Sequence, residues 1–199
     1  MEKSIEPRLS EAKEGNRTVY FVDAAHFVLG SFLGYLWCIT RIFIPSSSGR
    51  KRYNVLGAID AITHQLITVC NDTYINACSV CELLYKIRDA AADSENPITL
   101  VMDNAKYQKC ELVTKLAENL NIELLFLPSY SPNLNLIERL WKWIKKDCLN
   151  CKYYKCFDEF KDAINTSLQK VSQVERKKEM DELLALNFQL FDSAFYNRA

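Results

Sequence analysis

Residues 98–127, ITLVMDNAKYQKCELVTKLAENLNIELLFL, decide the fold. The stretch opens on ITLVMD (98–103), which stays apolar until its last residue, the pattern of a strand buried on both faces. It closes on IELLFL (122–127), a second strand of the same kind. Between them residues 109–119 predict a helix, with Leu112, Val113, Leu116 and Leu120 on one side. Strand, helix, strand implies two parallel strands with the helix packed on the sheet.

The reading extends outward from there. Residues 76–92 have helical spacing, with Val80, Leu83, Leu84 and Ile87 on one face, and Pro97 ends that unit. Further upstream, β-branched and aromatic runs predict strands at 18–23, 37–44, 53–60 and 65–71, with a turn at 45–52. These look like an antiparallel meander. Downstream, 128–133 is a loop, and a strong helix begins near Leu134. Leu134, Ile137, Trp141, Ile144 and Cys148 form its buried stripe. Another helix is expected at 157–171. The architecture predicted is α/β, a mixed sheet flanked by helices. The organisation expected is an N-terminal linker or helix at 1–17, one domain at 18–172 and a helical tail at 173–199.

Composition sets bounds on function. A chain of 199 residues, 49% hydrophobic, has enough apolar side chain for one well-packed domain. Lys and Arg equal Asp and Glu at 25 each, which argues against binding nucleic acid by bulk charge but permits a local basic patch. The start of the chain is polar and mixed in charge, unlike a signal peptide. The most apolar stretch, 27–40, is too short to span a bilayer, where about 20 residues are needed. No membrane is expected, and the default location is cytoplasmic. Cys78 and Cys81 form one C-x-x-C and Cys148 and Cys151 another, but they are far apart in helical stretches. They read as buried or part-buried thiols rather than zinc ligands.

Three acids are conspicuous by position. Asp23 closes the first predicted strand, Asp103 closes ITLVMD, and Glu138 sits in the first turns of the helix after the Pro-rich loop. Carboxylates at strand ends lie at the rim where open α/β sheets bind ligands. If the strands are neighbours, Asp23 and Asp103 share a crevice. Crowded acids repel, and a hard divalent cation relieves that. Two such ions about 3.5–4 Å apart suit an in-line phosphoryl displacement. Taken singly, each acid also has an ordinary explanation. Asp23 and Asp103 can be turn residues, and Glu138 can be a helix-start acid favoured by the dipole. Spacing alone leaves both open.

The segments FVDAAHF (21–27), LVMDNAKYQ (100–108) and LPSYSPNLNLIERLWKWIKK (127–146) resemble the three signature blocks of DDE transposases. The similarity is greatest to the bacterial insertion sequence 630 family, related to the mariner elements, and runs from about Val19 to Val171. The 34 residues between Asp103 and Glu138 are the interval of that group. The resemblance implies a ribonuclease-H-like fold, with a five-stranded mixed sheet and helices on both faces. It implies two Mg²⁺ or Mn²⁺ ions held by Asp23, Asp103 and Glu138. The reaction implied is hydrolysis at the element's ends, then attack of the freed 3′-hydroxyl on target DNA.

Other residues take expectations from the same blocks. His26 either touches metal-bound water or phosphate, or makes a structural hydrogen bond. Asn104 is expected to orient Asp103 or contact DNA. Tyr130 and Asn133 are expected to shape the loop over the site, and Asn135 to cap the Glu138 helix. Arg139, Lys142, Lys145 and Lys146, followed by Lys152 and Lys155, form a basic stripe suited to the phosphate backbone. Arg50, Lys51 and Arg52 are a second candidate contact. Full-length relatives carry helix-turn-helix modules and act as dimers on paired ends. Only 22 residues precede Asp23, so an upstream partner or fusion is expected to supply end recognition. The alternative is a truncated, non-catalytic partner of a full-length transposase.

Overall fold

Eleven residues of β1, Thr18–Val28, form the middle strand of a five-stranded mixed sheet in the order β3-β2-β1-β4-β5. The computed structural model describes residues 2–30, 39–40, 43, 51–92, 95–128 and 135–186. On one side β1 pairs antiparallel with β2, Arg52–Asp60, which pairs antiparallel with β3, Leu66–Asn71. On the other side it pairs parallel with β4, Ile98–Met102, and β4 pairs parallel with β5, Ile122–Phe126. The meander and the parallel half are both as the sequence predicts. The strand expected at 37–44 and most of the turn at 45–52 lie outside the described residues.

The sheet separates two apolar layers. On one face α2, Ala77–Ala90, and α3, Glu111–Asn119, cover Tyr20, Val22, Leu56, Leu100 and Met102. The start of α2 is fixed by a capping box. Asn76 Oδ1 accepts from Ser79 N at 3.1 Å, and Ser79 Oγ accepts from Asn76 N at 3.4 Å. The helix then buries Val80, Leu83, Leu84 and Ile87, the stripe its spacing predicts. On the other face α4, Ile137–Leu149, and α5, Phe157–Lys170, pack over Phe21, Ala25, Val55 and Ile59.

Both flanking segments carry helices that pack into the core. Of the linker or helix expected at 1–17, the structure has the helix. α1, Glu2–Lys13, places Ile5, Leu9 and Ala12 in the core beneath the α4 face. Their i, i+4, i+7 spacing is one helical stripe, diluted in the sequence by charged neighbours. The C-terminal segment follows the same pattern. α6, Lys177–Leu183, and the residue after it bury Met180 and Leu184 in that core. Among the described residues no helix is long and apolar enough to cross a membrane.

Polar ties hold α1 to the parallel strands. The Arg8 guanidinium forms an ion pair with Glu123 of β5. Arg17 bonds Glu123 Oε2 at 3.1 Å and Thr99 Oγ1 at 2.8 Å. Hydrogen bonding from Arg8 holds the Glu123 carboxyl below its ordinary range, although burial opposes the shift. The sign for stability follows. A carboxyl lowered by folding stabilises above its unfolded value and loses that contribution as pH falls through the folded one. Glu123→Gln is expected to lower the melting temperature at pH 7 and to make little difference near pH 3. Thermal melts at both values check this.

Candidate active site

Asp23 lies mid-strand, and the reason it faces a cleft is where its neighbour stops. β4 pairs with only the first half of β1, ending at Phe21 opposite Val101. Two residues further on, continuing this register sets Asp23 level with Asp103, which follows the last residue of β4. Residues in register on parallel strands point to the same face. Phe21 and Val101 belong to the layer under α4, so both acids face α4, which carries Glu138. The strand expected to end at Asp23 continues to Val28 because β2 pairs along its whole distal half.

The electrostatics agree with this placement. Burial pushes the Asp23 carboxyl from its ordinary 3.8 up to about 6, and the charges of Asp103 and Glu138 push the same way. The Ala24 backbone N–H and the Trp141 indole oppose the shift. Burial also raises the Glu138 carboxyl, with Lys142 opposing. Asp103 is exposed, and its Oδ1 accepts from Ala105 N at 3.3 Å, an Asx turn. The Tyr107 phenol is raised by burial first and then by the charges of Asp103 and Asp23.

The donor set is three carboxylates, hard oxygens suited to Mg²⁺ or Mn²⁺. A divalent cation would remove the like-charge cost that Asp23 bears. Among the described residues, no group of three His, Cys, Asp or Glu side chains is drawn together tightly enough to hold an ion. The acids fit a cation in the chemistry of their donors and in the face of the sheet they share.

Residues 18–161 match the family described as DDE superfamily endonuclease. The chain belongs to this family. Among solved structures, the DDE endonuclease chain is similar to a Mos1 transposase catalytic domain. The identity is 15% and the TM-score 0.59, covering 96% of this chain and 94% of that one. It is similar also to Mos1 transposase in a paired-end complex with the left transposon end. There the identity is 15% and the TM-score 0.58, covering 94% of this chain and 62% of that one. A third similarity is to the simian T-cell lymphotropic virus intasome, at 14% identity and TM-score 0.50, covering 80% of this chain and 49% of that one. At such identities the likeness is one of fold, and it is the ribonuclease-H-like arrangement expected. The chain spans about three fifths of the longer Mos1 chains. No curated protein matches the sequence.

The residues around the three acids differ in part from expectation. His26 lies three residues after Asp23 in the same strand, so alternation turns it to the opposite face. There its Nδ1 meets Asn54 Oδ1 at 2.6 Å. Asn54 Nδ2 donates to the Thr73 carbonyl at 3.0 Å, which fixes the amide and makes His26 Nδ1 the donor. The structural alternative for His26 is the one observed. Asn104 donates to the Leu127 carbonyl, tying the ends of β4 and β5. Asn135 does not cap the Glu138 helix. Leu136 is at the cap position and makes no side-chain bond, whereas Asn135 Nδ2 donates to the Val22 carbonyl at 3.2 Å. Tyr130 and Asn133 lie outside the described residues.

The basic residues divide. Lys142 and Lys145 follow Glu138 at i+4 and i+7 on α4, and both are exposed. Lys145 Nζ lies 5.9 Å from the Phe27 ring, and Lys51 Nζ lies 5.6 Å from the Phe157 ring. Lys51, Arg52 and Lys146 are exposed. Arg139 is committed elsewhere, with Nη1 donating to the Ala185 carbonyl at 2.8 Å. Arg50 lies outside the described residues. The two C-x-x-C pairs belong to α2 and to the end of α4, on opposite sides of the sheet, so they do not form one zinc site.

Sequence reasoning missed two contributors. Trp141 was expected as core, and it is buried, but its Nε1–H also donates to Asp23 Oδ2 at 3.1 Å. Gly57 stands opposite Asp23 on β2. A Cβ there would lie 2.6 Å from Trp141 Cη2, so only glycine lets the indole approach. An isolated glycine inside a strand pattern was the available signal.

Proposed function

We propose that this chain is a transposase catalytic domain that cleaves and joins DNA strands with two divalent metal ions held by Asp23, Asp103 and Glu138. The single observation that carries the reading is the register that sets Asp23 level with Asp103 on the face covered by the Glu138 helix. Mos1 catalytic domain structures are described with Mg and with Mn, and Mos1 complexes with a transposon end. Those descriptions support a divalent metal and a DNA substrate for this chain.

The ions would supply activation of the attacking oxygen and stabilisation of the leaving one. The protein's own share is to hold three carboxylates on rigid elements. Exposed Lys142, Lys145, Lys146, Lys51 and Arg52 suit double-stranded DNA, both element ends and target, through its phosphates, and Lys142 lies one helical turn after Glu138. Membership of the insertion sequence 630 group, action as a homodimer, an upstream helix-turn-helix partner and a cytoplasmic, nucleoid-associated location belong to the same proposal.

The test is Mg²⁺- or Mn²⁺-dependent nicking of supercoiled plasmid by purified protein, with Asp103→Asn as control. Nicking by the wild type that disappears in the variant is expected. Metal-independent nicking, or nicking equal in both proteins, would sink the reading.

A further inference from the structure

Three residues around Asp23 remain unexplained by metal ligation. Trp141 donates to the Asp23 carboxylate, Asn135 donates to the Val22 carbonyl, and Gly57 leaves room for the indole. Trp141 and Asn135 stand three residues either side of Glu138, and their bonds land on consecutive residues of β1. Both are buried, at 5% exposure each.

We infer that Trp141 and Asn135 are positioning residues, a two-point staple that sets the Glu138 helix against the strand of Asp23 before any metal ion binds. The inference rests on the reading of the three acids as a metal site. Phe21 and Val101 are the last paired residues of β1 and β4, so the neighbouring Val22 carbonyl lies where that ladder ends. Asn135 donates to it there. The bond has a cost, since Asn135 Oδ1 is buried without a partner among the described residues. Its Nδ2 faces a carbonyl, so flipping the amide would set two acceptors against each other. The amide therefore serves β1 rather than its own helix.

Trp141 provides the second point. An indole N–H can only donate, so it directs Oδ2 of Asp23 toward α4. Its ring also fills the gap left by Gly57, with Ile137 packed against the same position. Glu138 thus sits midway along a segment fastened at both ends. The relative position of the first and third acids is then set by direct bonds between α4 and β1. Supporting bonds of this kind around metal ligands typically govern affinity by about 10–100-fold.

Trp141→Phe keeps most of the ring volume and removes the donor. Calorimetric Mn²⁺ titration should show affinity weakened by about 10-fold, with a metal-free melting temperature close to the wild type. Gly57→Ala keeps the donor but drives the ring away, and it should weaken Mn²⁺ binding in the same direction. A third readout leaves Trp141 and Gly57 unaltered. In the wild-type ¹⁵N–¹H spectrum, the Trp141 indole resonance, assigned by elimination with Trp37→Phe and Trp143→Phe, should shift as Mg²⁺ is added. An indole resonance unmoved by saturating Mg²⁺, or Trp141→Phe binding Mn²⁺ as tightly as the wild type, would overturn the staple and leave the metal site standing. A wild-type protein that binds no Mn²⁺ would overturn both.

Discussion

Asp23→Asn is expected to abolish metal-dependent nicking and, in the same molecule, to raise thermal stability at neutral pH. The loss of activity should reach about 10³-fold or more, because metal-assisted charge stabilisation amounts to several kcal/mol. The gain in stability has a separate origin. Burial, with Asp103 and Glu138 adding to it, pushes the Asp23 carboxyl up to about 6. Between its ordinary 3.8 and about 6, the folded state binds more protons than the unfolded one. Stability therefore falls as pH rises through that window, and above it the full cost of ionised Asp23 is present. The cost is about 2–3 kcal/mol. Asparagine carries no charge and still offers Oδ1 to the Trp141 indole. In EDTA at pH 7.5, the variant should melt roughly 4–8 °C higher than the wild type, and the difference should shrink toward pH 4. Added Mg²⁺ should raise the wild-type melting temperature and leave the variant unchanged. A variant that melts lower in EDTA at pH 7.5 would show that Asp23 is a structural acid.

Leu9→Ala is expected to destabilise the whole domain by about 3 kcal/mol, the usual cost of truncating a buried leucine. The side chain lies in the core beneath α4, with Ile5 and Ala12 on the same stripe. Pro7 interrupts the hydrogen-bonding of α1, so the helix depends on that packing rather than on its own propensity. Chemical denaturation followed by circular dichroism measures the effect. Leu112→Ala is the control, because Leu112 is 56% exposed on α3 and its loss should change stability by no more than about 0.5 kcal/mol. Equal effects of the two substitutions would return residues 1–17 to the status of a linker.

The same contrast shows which features were legible beforehand. Strands β4 and β5 were legible as continuous apolar runs, and α2 and α4 as apolar residues at helical spacing. Asp103 and Glu138 were legible because they interrupt or open those elements. Residues 1–17 were legible only as a linker or a helix, since three apolar positions among charged ones give a weak period. For His26 the sequence left a structural hydrogen bond and a place at the site both open. With the strand ended at Asp23, the three-residue offset carried no meaning, whereas in a strand running to Val28 it sends the two side chains to opposite faces.

By itself, then, the sequence determined the type and order of the described elements from β1 to α5, and it singled out the three acids, because periodicity and strand-end position are local properties of the chain. Tertiary structure decided which acids share a face, through the register of β1 on β4. It also decided what holds them. The Trp141 bond to Asp23 joins residues 118 apart in sequence, and the Asn135 bond to Val22 joins residues 113 apart. The need for glycine at position 57 exists only once the indole lies against β2. A hydrogen bond between distant residues leaves no period in either segment, so its partners become visible only when the sheet and helix meet.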